Sequence, residues 1–285
     1  MSDHLGGLLF SLDPSPVDIL RLPPPPRDHR IPYGPHPAQF GDLRLPLGRG
    51  PHPVVVVLHG GFWRHLYDLE HLGHLAAALT REGFATWNLE YRRVGDPGGG
   101  FPGTFLDASA GLDFVRQLGR EYPLDDRRVV VVGFSTGGHL ALWLGGRHRL
   151  PPGGPIASRD PLPIRGVVSL AGLSDLRECS QRRLGDGAVD ALMGGTPDEL
   201  GQRYAEGSPS EMLPLGVRQI LVHGALDDLV PADLSASYCK AAAERGDPVE
   251  GVLVPGAGHF DLIDPRSHAW PAVLRAVRGL FDEKT

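Results

Sequence analysis

Two runs of four consecutive valines, residues 54–57 and 129–132, constrain this chain more than any other feature. A strand with one face in water alternates apolar and polar residues. An unbroken β-branched run therefore belongs to a strand covered on both faces, as in a parallel sheet between two layers of helices. Each run passes straight into glycine-containing sequence, the first into HGGFW (59–63) and the second into GFSTG (133–137). A buried strand that stops so abruptly delivers the next residues to the carboxyl edge of the sheet, where open α/β sheets bind ligands.

The other periodicities fit the same plan. Residues 40–47 alternate well enough for an edge strand. Leu66, Leu69, Leu72, Leu75 and Leu79 recur at three and four residues and predict a helix that Gly83 stops. Further strands are expected over 84–92, 164–172, 219–224 and 250–256, and helices over 104–118, after residue 136, over 232–246 and over 268–281. This alternation predicts βαβ units forming a mostly parallel central sheet with helices on both faces. The Pro-rich segment 1–40, with its LPPPPRDHRIPYGPHP, is expected to run as an arm along the surface of one domain spanning 41–285. The polar stretch 174–213 is too long for a bare loop and is expected to form a small helical cap over the site.

Composition narrows the function classes. A net charge of -6 in 285 residues, with no basic stripe, gives nucleic acid nothing to bind. The first sixteen residues lack a basic leader and carry too short an apolar run for a signal sequence or membrane span, so a cytoplasmic location is expected. Only Cys179 and Cys239 are present, each alone in its segment, so neither a disulfide framework nor a CxxC metal site is indicated. His65, His71 and His74 have loosely metal-like spacing without the HExxH arrangement. Neither a metal nor a cofactor is expected, and the oligomeric state cannot be read from the sequence.

The chemistry is carried by three loops. In GFSTG a serine, Ser135, stands between a β-branched run and a helical one. Glycines two before and two after it suit a strand-to-helix turn too sharp for a Cβ at those positions. A serine needs a base, and the base needs an orienting acid. The strand at 219–224 ends in HGALDDLVP, which presents Asp227 and Asp228, and the strand at 250–256 ends in GAGHFD, which presents His259. Among the other histidines, His59 and His223 sit at strand ends where they can fix loops, and His139 lies on the helix after Ser135, where packing is expected. A tetrahedral oxyanion needs backbone donors free of side-chain obstruction. These are expected from Gly61 and Phe62, after the first valine strand, and from Thr136.

The order HGGFW, GFSTG, HGALDDLVP, GAGHFD resembles the α/β-hydrolase superfamily, and within it the HGGxW, kynurenine formamidase-like branch of serine esterases. That resemblance implies an α/β-hydrolase fold with Ser135 as nucleophile, Asp227 as acid, His259 as base, an oxyanion hole at Gly61, Phe62 and Thr136, and substrate contacts from Trp63 and Phe134. The expected activity is hydrolysis of small carboxylic esters through an acyl-enzyme. The alternative is an aryl formamidase acting on an N-formyl amide. A non-catalytic ligand-binding protein on the same fold is disfavoured because all three catalytic residue types are present.

Overall fold

The computed structural model describes residues 17–282. The expectation of no leader, which rests on residues 1–16, lies outside the described residues, as does the first part of the Pro-rich arm. Eight strands form one sheet: β1 (His29–Pro32), β2 (Phe40–Arg44), β3 (His52–Leu58), β4 (Ala85–Leu89), β5 (Leu124–Phe134), β6 (Gly166–Leu170), β7 (Arg218–Gly224) and β8 (Val249–Val254). Their order is β1-β2-β4-β3-β5-β6-β7-β8. β1 with β2 and β2 with β4 pair antiparallel, and β4, β3, β5, β6, β7 and β8 run parallel, with one register shift between Pro53 and Val54 where β3 meets β5. The helices are α1 (Val17–Arg21), α2 (Gly73–Arg81), α3 (Gly103–Asp113), α4 (Val115–Glu121), α5 (Thr136–Gly146), α6 (Leu176–Gln181), α7 (Ala188–Met193), α8 (Gly201–Gly207), α9 (Pro209–Met212), α10 (Asp233–Glu244) and α11 (Trp270–Asp282).

The valine runs divide between two cores by the period-2 alternation of a strand. Val55, Val57, Val130 and Val132 pack with Leu75 and Leu79 of α2 and Val273 and Val277 of α11. Val54, Val56, Val129 and Val131 face the opposite layer, with Leu112, Val115, Leu140 and Trp143. All eight valines are fully buried. Each contributes about 1.5–3 kcal/mol of transfer free energy, so the centre of the sheet is firmly held.

The structure differs from the sequence expectations at three places. Residues 40–44 are not an edge strand, because His29–Pro32, inside the Pro-rich segment, pairs outside them and takes the edge. The leucine-spaced helix begins late: Asp68 accepts the amide of Glu70 at 2.9 Å and caps a short 3₁₀ turn, Leu69–Leu72, ahead of α2. Leu66 stays outside it and is 75% exposed. The single helix expected over 104–118 is two, α3 and α4, meeting at Phe114. The stretch 174–213 is helical, as four short helices. It is tied beside α5 through His139 Nε2 to the Gly207 carbonyl at 2.9 Å and Trp143 Nε1 to the Glu206 carbonyl at 3.0 Å. Among the described residues, no helix is long and apolar enough to cross a membrane.

Candidate active site

The turn between β5 and α5 is held by steric exclusion. A Cβ on Gly133 would come within 2.0 Å of the Gly137 carbonyl oxygen, and one on Gly137 within 2.1 Å of that of Leu58. Between them Ser135 sits at φ 55°, ψ −121°, a conformation L-residues rarely occupy. Its amide donates to the Leu170 carbonyl at 2.7 Å, which locks the elbow to β6. Ser135 is 3% exposed, at the N-terminus of a helix whose every residue is buried.

The loops after β7 and β8 meet above this edge. His259 Nδ1 donates to Asp227 Oδ2 at 2.6 Å. Asp227 Oδ1 accepts the amides of Leu229 (2.9 Å) and Val230 (2.8 Å), and His223 Nε2 lies 3.3 Å from Oδ2. The Asp227 side chain is completely buried. Burial alone would raise its pKa, but the hydrogen bonds from His223 and His259, the nearness of the His259 ring and the Val230 amide outweigh it and hold the carboxyl well below the usual range. Asp228 is exposed, so of the two adjacent acids the histidine faces Asp227. His223 is itself fixed by Ser235 Oγ at 2.7 Å and the Val230 carbonyl at 2.9 Å.

The loop after β3 is equally constrained. Gly61, Phe62 and Trp63 all have positive φ, at 110°, 53° and 53°. A Cβ on Gly60 would lie 2.9 Å from Ser135 Cβ, so only glycine lets this loop approach the elbow. Among the described residues, the amides of Gly61, Phe62 and Thr136 donate to no protein acceptor. Beneath the loop His59 is fully buried, with Nδ1 2.7 Å from the Gly60 carbonyl and Nε2 2.9 Å from Glu90 Oε1. Tyr91 stacks on its ring and donates to its carbonyl at 2.6 Å. Glu90 also accepts the Leu69 amide and pairs with Arg93 at 3.0 Å. Burial opposes the Glu90 charge, yet His59 and Arg93 keep its carboxyl below its ordinary value. Glu90 thus joins the loop under Ser135 to the loop that reaches α2, a role the sequence signalled only as one acid in an otherwise strand-like run.

A cavity of about 500 Å³ opens at this point, within the range of ligand sites. Ser135, His259, Phe134, Gly61 and Phe62 all line it. The Phe134 and His259 rings lie 4.6 Å apart, centroid to centroid. His71 is another wall residue; burial, with His59 and His259 nearby, pushes its pKa down to about 3, so it stands there as a neutral ring. Trp63 does not reach the cavity. It is fully buried, edge-on to His139 at 5.1 Å, because the left-handed turn at Phe62 and Trp63 sends the indole into the core. Thr136 is wholly buried and is not a wall residue. No residue of 174–213 lines the cavity either; its outer wall is made by Leu20, Leu22 and Pro24 of the Pro-rich segment.

The central parallel sheet, the elbow and the three loops at its carboxyl edge define an α/β-hydrolase fold. More narrowly, the chain belongs to the BD-FAE family, whose model matches residues 42–241. It is similar to Esterase LipC of Mycobacterium tuberculosis, 26% identical over 268 residues that cover 87% of this chain and 64% of that protein. It is also similar to the isoprenylcysteine alpha-carbonyl methylesterase ICME of Arabidopsis thaliana, 28% identical over 246 residues, 81% of this chain and 56% of the relative. The chain thus spans less than two-thirds of the length of both. A truncated form of a carbohydrate esterase from gut microbiota superposes with a TM-score of 0.79 at 19% identity, covering 91% of this chain and 98% of that one.

Proposed function

We propose that the chain is a cofactor-free serine hydrolase of small carboxylic esters, with Ser135 as nucleophile, His259 as general base and Asp227 as its orienting acid. The observation that carries this reading is a strained, buried serine sharing one cavity with a histidine whose far nitrogen is gripped by a buried, ionised aspartate. Asp227 fixes the ring with Nδ1 protonated, which leaves Nε2 free to accept a proton. Neither Ser135 Oγ nor His259 Nε2 has a hydrogen-bond partner among the described residues. The two close on each other when substrate enters, as catalytic hydrogen bonds commonly do. Oγ attacks the acyl carbon while Nε2 takes its proton. The tetrahedral oxyanion is met by the amides of Gly61, Phe62 and Thr136, each donor lowering the barrier by about 3–4 kcal/mol. His259 then protonates the departing alkoxide. Water, deprotonated by the same ring, releases the acid.

The names of LipC, an esterase, and ICME, a methylesterase, support an ester substrate. The formamide reading rests on the HGGxW resemblance. The position of Trp63, away from the cavity, weakens it by removing the motif's aromatic from contact with substrate. Ser135→Ala is expected to lose on the order of 10⁴-fold or more in kcat on p-nitrophenyl acetate and to stop taking up a fluorophosphonate label. An alanine variant that still turns over overturns the mechanism, and faster hydrolysis of N-formyl-kynurenine than of the acetate ester favours the formamidase.

A further inference from the structure

Apolar surface is unevenly spread over this molecule. Nine large apolar side chains are exposed among the described residues, and five of them, Leu20, Leu22, Leu66, Tyr67 and Leu229, stand around the one cavity that contains Ser135. Apolar patches that a folded chain leaves uncovered mark binding surfaces. Two of the five come from the segment just before the polyproline run, and that segment is pinned on each side of them. Ile19 is 1% exposed and packs in the core that holds Leu72, Leu75 and Ile263. Arg44, itself buried, donates from Nη2 to the Pro25 carbonyl at 2.9 Å and from Nε to that of Pro26 at 3.1 Å. Pro24 lies so close to Gly73 that a Cβ there would come within 2.9 Å of its ring. Consecutive prolines restrict the backbone between these anchors, so little ordering entropy is lost when a ligand seats against it.

Among the described residues, the wall so formed carries no Lys or Arg, and its charged members are the carboxylates Asp68 and Glu70. An anionic chain gains nothing there, whereas an alkyl chain covers leucines that water now wets.

We propose that Leu20 and Leu22 are specificity-determining residues that seat the apolar chain of an uncharged ester, giving the enzyme a preference for butanoyl- to octanoyl-sized chains over acetyl. The inference rests on the ester-hydrolase reading above. The chain can belong to the acyl or to the alcohol half of the ester, and the chemistry that recognises it is the same. Each methylene brought from water onto such a wall favours binding by about fourfold, so the signature is a slope against chain length.

The test uses the purified full chain and two series, p-nitrophenyl acetate to octanoate for the acyl half and ethyl to octyl acetate for the alcohol half. The wild type is expected to show kcat/KM rising with length in one of them. In Leu20→Ala/Leu22→Ala the ratio of longest to shortest substrate in that series is expected to drop about tenfold. Leu22→Trp, which narrows the cavity instead of opening it, is expected to move the optimum to shorter chains. Ratios unchanged in both series for both variants, with labelling by fluorophosphonate intact, overturn the inference and leave the hydrolase reading standing. A wild type that neither labels nor turns over any ester overturns both.

Discussion

On the inner side of the cavity, Ser135 heads a helix whose eleven residues are all buried. On the outer side, Leu22, Leu20, Tyr67 and Leu66 are 37%, 42%, 49% and 75% exposed. The inner side is held by backbone contacts too close for a Cβ and by a carboxylate with four partners. The outer side is held by a few anchors and otherwise rests in water. The contrast fits the roles proposed for the two sides: proton transfer and attack need atoms fixed to a fraction of an ångström, whereas an alkyl chain needs only a surface to cover. Mutations should therefore cost far more on one side than the other.

The largest effect is expected at the acid. Asp227→Asn is expected to lower kcat by on the order of 10⁴-fold with the fold intact by circular dichroism, while exposed Asp228→Asn changes it by less than about twofold. If the two respond alike, the division between the sides has been drawn through the wrong residue. Next comes Glu90, which braces the loop beneath the serine. Glu90→Gln removes the buried carboxylate shared by His59 and Arg93, leaving Arg93 paired with Asp96, and is expected to lower unfolding free energy by about 3 kcal/mol in urea titrations. A loss below about 1 kcal/mol would make that brace no firmer than the rim.

Stability should also depend on pH through the inner side. Burial holds His139 neutral, with its pKa pushed down to about 4 from the 6.5 of an exposed ring. Below pH 6.5 the unfolded chain binds the proton and the folded one does not, so stability falls as the pH is lowered toward 4, by about 3 kcal/mol from this ring. His71, lowered further, adds to the same loss. Unfolding midpoints at pH 7 and pH 4.5 measure it, and His139→Gln should flatten part of the slope. The smallest effect belongs to the rim, where Leu66→Ser is expected to change stability by less than about 0.5 kcal/mol.

The same contrast explains what could be read from the sequence. The valine runs and the glycines of GFSTG act through local sterics, so the buried strands and the elbow were visible in a dozen residues. Asp227 and His259 could be paired as candidates because each lies in the loop after its own strand. The outer wall left no such trace. Leu20 and Leu22 lie more than a hundred residues before Ser135, and only the antiparallel return through β1 and β2 brings them back to the sheet. Local pattern even misled there. The leucine spacing drew Leu66 into a helix it does not join, the HGGFW motif suggested that Trp63 faced substrate, and 174–213, read as a cap, lines none of the cavity that Leu20, Leu22 and Pro24 help to wall.

Ser135 cannot shift without repacking the middle of the protein, whereas the leucines opposite it can be exchanged with little disturbance to anything else. A library randomised at positions 20, 22 and 66 should therefore yield folded proteins in high proportion and vary mainly in which molecules they accept. On the proposed reading, changes of appetite, whether by drift or by design, have their easiest route through the strap and not through the elbow it faces.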